Sequence, residues 1–181
     1  MAVAKYQQED VPVSYPATPS GLSTKAAALD PAMIWARIET HIAHRWTPRA
    51  VVWIIDGPGE WVTPLTPATI STSEVWNGAA WISASLAASP LGGFDLTGAG
   101  PYRITASVGV GTPPAPVNEA FKRLAEYIAG GRDQLDEPGA TSYSTDIGGD
   151  LQWSVTRNAA WMARALQNSG AADLLRPYRR A

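Results

Sequence analysis

Cysteine is absent from the 181 residues. That removes disulfides, thiolate chemistry and every cysteine-based zinc site. Phenylalanine occurs twice against eight tryptophans, so indole supplies most of the aromatic bulk. Charge is sparse: 17% of residues are Asp, Glu, Lys or Arg, and the formal net charge is -2, with a pI near 5.6. A free-standing nucleic-acid binder usually carries a basic excess, so bulk composition argues against one. No apolar run approaches the ~18 residues of a membrane span. Met1 to Gln7 lacks the apolar core of a signal peptide. The expectation is a protein made in the cytoplasm, away from membranes.

Catalytic signatures are missing as well. The chain has no G-x-S-x-G elbow, no phosphate loop ending in Lys-Ser or Lys-Thr, and no dinucleotide fingerprint. Gly109-Val110-Gly111 is followed by prolines, which lack the N–H groups a phosphate needs. His41 and His44 stand three apart, but no acid or third histidine matches their spacing, so they read as a polar helix edge rather than a metal site. Paired carboxylates would suit glycoside hydrolysis. Asp56, Glu60, Glu74 and Asp95 are spread apart, all but Glu74 near turns, and read as surface residues. The expectation is therefore no enzyme, no cofactor and no metal.

What is present has one-domain size and 45% apolar residues, enough for a core. Residues 1–28 read as an extended arm, because Pro12, Pro16 and Pro19 interrupt any period. Either it is a loose tail, or it orders against a neighbouring subunit with Tyr6 and Tyr15 as docking aromatics. Asp30 as N-cap and Pro31 at the first helical position open a helix. Ile34, Ile38 and Ile42 carry its apolar stripe, and it is expected to run from about 31 to 46 before Pro48.

Residues about 50 to 111 change character. Arg49 to Ile55 reads as a strand closed by Asp56-Gly57-Pro58-Gly59, with Glu60 to Thr63 as a second strand. Glu74 to Ile82 reads as a hairpin in which Asn77-Gly78 makes a type I′ turn between Trp76 and Trp81. Tyr102 to Val108 alternates as a half-buried strand. Trp53, Trp61, Trp76 and Trp81 concentrate here. They read as core or subunit interface, where indole is common; an exposed row for stacking on sugar rings is the rival reading. Further helices are expected at about 117–129, ended by Gly130-Gly131, and at about 155–168, with a polar loop between them. The fold class is thus α+β: a bundle of about three helices with an inserted Trp-rich antiparallel sheet. The arm, a body over 29–170 and a tail over 171–181 make up the chain. The tail, with Leu174, Leu175, Arg176, Pro177, Tyr178, Arg179 and Arg180, has three readings: solvated disorder, contact with DNA phosphates, or a docking peptide for a protein pocket.

The run Pro114 to Tyr127 and the ending Ala165 to Arg180 resemble the second helix and the C-terminal signature of the head-tail connector (adaptor) proteins of tailed bacteriophages, including relatives in phage-like gene transfer particles. The resemblance covers about residues 30 to 181. The N-terminal arm and the long β insert depart from the family's pattern. The resemblance implies a structural virion protein at the head-tail interface, in a ring of about twelve copies closed by heterologous contacts. It implies that the ring sits between the portal protein and a downstream stopper or tail-terminator protein, and passes double-stranded DNA without sequence specificity. It also implies that Leu174, Leu175, Pro177 and Tyr178 anchor to the portal, with Arg176, Arg179 and Arg180 as charge partners. A carbohydrate- or receptor-binding module using the tryptophans is the alternative.

Overall fold

A computed structural model describes residues 2–90, 92–133, 142–146, 152–156 and 160–179. The fold is α+β, and the chain divides into two compact units. One gathers Met1–Pro16 and Ala43–Thr112; the other gathers Ala17–Ile42 and Pro113–Arg179.

The first unit is built from strands. They are β1 (Val3–Glu9), β2 (Arg49–Asp56), β3 (Gly59–Trp61), β4 (Ala68–Trp76), β5 (Trp81–Ser83), β6 (Ala87–Ala88), β7 (Phe94–Leu96) and β8 (Tyr102–Val108). Five form an antiparallel sheet in the order β1-β2-β8-β4-β5, and three form a second sheet, β3-β7-β6. The period-2 pattern of the sequence fixes the register. Val51 pairs with Ala106, Trp53 with Ile104 and Ile55 with Tyr102, and all six are buried on one face. Leu96, Trp61 and Leu65 join the same core.

The arm expected over 1–28 is largely ordered into the units. Val3–Glu9 forms the edge strand beside β2, Ala2 is buried, and Gln7 Oε1 accepts a 2.9 Å hydrogen bond from Trp53 Nε1. The segment hid its strand character because Ala2 and Ala4 pack on the core while Lys5 to Gln8 are exposed, which does not read as an apolar alternation. The second strand expected over Glu60 to Thr63 forms as β3, three residues over Gly59–Trp61, and pairs with β7.

The Asn77-Gly78 hairpin forms with a different turn. Trp76 pairs with Trp81, so four residues connect the strands. Gly78 has φ +99°, while no non-glycine described residue has positive φ; a type I′ turn would need it at Asn77 too. Instead the Asn77 side chain accepts from the N–H groups of Ala79 and Ala80 at 2.9 and 2.8 Å.

The second unit holds α1 (Thr24–Ala27), α2 (Pro31–His41), α3 (Ala115–Asp133), the hairpin of β9 (Ser142–Asp146) and β10 (Gln152–Thr156), then α4 (Ala165–Asn168) and α5 (Ala171–Leu175). Asp30 caps α2 through a 3.0 Å bond from Ala32 N–H, with Pro31 in the first turn. Ser23 caps α1 through Ala26 N–H, and its own N–H and hydroxyl donate to Glu126 at 2.6 and 2.7 Å. Ile34, Trp35 and Ile38 of α2 and Val117, Phe121, Leu124 and Ile128 of α3 are fully buried. Trp35 and Phe121 lie 4.8 Å apart between ring centres.

Three helix boundaries differ from expectation. The second helix stops at His41 because Ile42 turns extended, five residues before the expected end at Trp46. The third continues through Gly130-Gly131 to Asp133. There Gly131 is not a stop: a Cβ at that position would collide with the Trp161 indole, so the glycine permits close approach. The helix expected over 155–168 starts at Ala165, as α4, since residues 152–156 are a strand. Val155 and its β-branched neighbour Thr156 suit that strand.

Candidate functional site

Two surfaces gather the residues singled out from the sequence. The first is the C-terminal end of the helical unit. Gly170, at φ +72°, turns the chain from α4 into α5, and Arg176–Tyr178 then forms one 3-10 turn. Ala171 and Leu175 are fully buried. The end of the chain up to Arg179 is therefore a packed part of its unit and not a free peptide. The apolar pair splits: Leu175 belongs to the core, while Leu174 and Tyr178 are half-buried and Arg176, Pro177 and Arg179 are exposed. Arg180 lies outside the described residues.

Arg179 also acts on α2. Burial holds the His41 imidazole below its ordinary value, and the Arg179 guanidinium lowers it further. His41 Nε2 is buried without a hydrogen-bond partner among the described residues. One turn earlier, Arg37 Nη1 donates to the Met162 carbonyl at 3.3 Å and lies 3.3 Å from its sulfur. Met33, Ala36, Thr40 and Leu166 complete a cleft of about 440 Å³ here.

The second surface is the β4–β5 hairpin. Trp76 and Trp81 meet edge to face, 5.4 Å between centres and 62° between planes. The Arg103 guanidinium lies 4.7 Å over the Trp81 ring and is held by a 2.6 Å bond to Glu74. That bond lowers the Glu74 carboxyl below its usual range and raises Arg103. Edge-to-face indoles, one of them capped by Arg103, do not make the flat row that stacks on sugar rings.

The remaining tryptophans of the group are interior. Trp53 and Trp61 pack 5.5 Å apart and are buried, which removes both from the subunit-interface candidates. A thin sheet with few phenylalanines needs indole volume in its core. Tyr6 is exposed on β1. Tyr15 is half-buried, with Arg49 5.8 Å from its ring centre.

His44 is not on the helix with His41; it bridges to Thr66 beyond the helix end. Among the described residues no group of three or more His, Cys, Asp or Glu could hold a metal ion. Glu60 and Asp95 do face each other across β3 and β7, with Ser89 Oγ bonded to Glu60. Asp56 lies 3.9 Å from Lys5 Nζ, both side chains being exposed. No described helix is long and apolar enough to cross a membrane.

Sequence reasoning missed a buried charge cluster. Glu9 Oε1 accepts from Arg45 Nε at 2.6 Å and from Arg49 Nη1 at 3.3 Å, and Glu9 Oε2 accepts from Arg45 Nη2 at 3.1 Å. Glu9 at the end of β1 and Arg49 at the start of β2 are 40 residues apart, so no local pattern joins them.

No protein-family model matches the chain, and no curated protein matches it.

Proposed function

We propose that this chain is a structural, ring-forming subunit of a phage-type head-tail connector, and that the C-terminal end of its helical unit docks on the portal protein. One observation carries the reading. The chain's last turn is fixed by the buried Leu175 and presents basic and apolar groups together: Arg176, Pro177 and Arg179 exposed, Leu174 and Tyr178 half-buried. A preformed patch of that composition suits insertion into a partner's pocket, because the ordering of the turn precedes binding. The resemblance of the Ala165 to Arg180 stretch to the connector signature points the same way.

In this reading Leu175 positions the patch and makes no partner contact. Arg176 and Arg179 meet acidic groups of the portal, and Leu174, Pro177 and Tyr178 fill its pocket. A body with net charge -2 lets DNA slide past without the counterion-release binding that a basic surface would cause.

The test mixes the purified protein with the portal protein of the same genome and images the product by electron microscopy. The expected product is a second ring stacked coaxially on the portal, lost in the Arg176→Ala/Arg179→Ala double variant. Bare portal rings with the unaltered protein left free overturn the proposal.

A further inference from the structure

The docking patch leaves the α2 cleft unused. Met33, Ala36, Arg37, Thr40 and His41 follow one another at helical spacing along α2. They form a second stripe beside the buried one of Ile34, Trp35 and Ile38. Met162 and Leu166, on the turn into α4 and on α4 itself, make the facing wall of the cleft. Thr40 and Ala163 are exposed and the other lining residues half-buried, so the cleft is a trough open to solvent and not an enclosed cavity.

Its charge is one-sided. Arg37 meets the Met162 carbonyl and sulfur through Nη1 alone, and no carboxylate pairs with it among the described residues. A guanidinium is a fork of N–H donors that matches a carboxylate two bonds at a time, and the Met162 contacts use one nitrogen of that fork. Beyond His41 the Arg179 guanidinium adds positive charge, enough to disfavour the protonated imidazole. No Asp or Glu lines the cleft among the described residues. Glu39, the one acid of α2, is buried, and residues 160–170 hold Arg164 and no acid.

We infer that this cleft binds a short acidic and apolar peptide segment of a partner protein, with the segment's carboxylate on Arg37 and its apolar side chains between Met33, Met162 and Leu166. A volume of about 440 Å³ is at the small end of the ~300–1,000 Å³ range of ligand pockets, so it takes a few side chains rather than a whole helix. Small-molecule sites bury about 70–90% of their ligand. An open trough would leave a free apolar acid half wet, whereas a peptide brings its own backbone and neighbouring residues to cover it. The two methionines give a wall that adapts to the side chain it receives. The inference goes beyond portal docking: it takes its contacts from α2 and α4 rather than from the last turn, and it holds whichever protein supplies the segment.

The methionines make the test direct, since two of the three in the chain, Met33 and Met162, line the cleft. The full chain, labelled with carbon-13 at the methionine methyls, is titrated by NMR with acetyl-Leu-Glu-Leu-amide, and separately with its glutamine counterpart and with hexanoate. The expected result is a saturable shift of the Met33 and Met162 methyls with the glutamate peptide. Loss of the charge-assisted bond makes the glutamine peptide roughly tenfold weaker. Arg37→Gln, with circular dichroism unchanged, should weaken the glutamate peptide by a similar factor. Should that variant fail to fold, the two peptides on the unaltered chain decide the matter alone. No saturable shift, equal affinity for the two peptides, or tighter binding of hexanoate overturns the inference. Portal stacking without peptide binding would refute this site and leave portal docking standing, and peptide binding without stacking would do the reverse.

Discussion

Removing the charge of Glu9 should loosen the strand unit more than any surface substitution. Its side chain is 17% exposed, and those of Arg45 and Arg49 are 8% and 4% exposed. In Glu9→Gln the shape stays close to native, but three charge-assisted bonds become neutral or repulsive, and two guanidinium groups remain buried. Each such bond contributes about 1.5–3 kcal/mol, and breaking a buried pair typically costs about 3–5 kcal/mol. The Thr47 carbonyl and hydroxyl still accept from Arg49, and the glutamine oxygen still accepts one bond, so the lower end applies: about 3 kcal/mol. For a chain of this size that corresponds to a drop of roughly 6–12 °C in Tm. Urea titration followed by tryptophan fluorescence reads the loss, since Trp53 lies in the same unit. Amide exchange across Val3–Glu9 should quicken with it. A change under about 0.5 kcal/mol, the range of ordinary surface substitutions, would show that the cluster does not hold β1 in place.

Three further outcomes follow from particular contacts. Gly131→Ala should destabilise by about 1–3 kcal/mol, the scale of overpacking, although alanine is the better helix former; a gain on thermal melting would show that Trp161 does not press on α3. His41 should titrate below its ordinary value. Because the folded form favours neutral imidazole, its contribution to stability is full above the unfolded value and fades as pH falls towards the folded one; NMR titration of Arg179→Ala should move His41 upward, and an unmoved value would contradict the contact. Trp53→Ala should cost about 3–5 kcal/mol as a buried aromatic, whereas the exposed Trp76→Ala should cost about 1 kcal/mol or less by the same urea assay; equal losses would refute the assignment of one to the core and the other to the surface.

Elements written in short-range pattern were legible from the sequence. Asp30-Pro31 announces the start of α2 because capping and the missing proline N–H are local effects. Strand β8 announces itself by alternation, with Tyr102, Ile104, Ala106 and Val108 all facing one core. What escaped depended on distant partners. Nothing local says that Val3–Glu9 is a strand, because its stabilising contacts come from β2 and from two arginines some 36 to 40 residues away. Gly130-Gly131 looked like a helix end because glycine commonly follows one. The helix continues, and Gly131 answers instead to Trp161, 30 residues later.

The C-terminal surface shows the same division at the level of single residues. Composition alone makes Leu174, Leu175, Pro177 and Tyr178 equivalent apolar anchors between arginines. Helical geometry breaks the equivalence. Once Gly170 starts α5, Ala171 and Leu175 fall four apart on one face and are buried, while Leu174 lies about 100° around the helix and stays half-exposed. A helix of five residues is not stable by itself, so its direction is set by the residues it buries. It follows that Leu175→Ala and Arg176→Ala act at different links of the chain. The first removes a fully buried leucine and should lower stability by about 2–5 kcal/mol, dispersing the whole patch. The second should leave the melting curve in place and change only what the patch binds. A melting curve shifted equally by both would mean that the arginine is structural, and that the surface presented by the last turn has been misassigned.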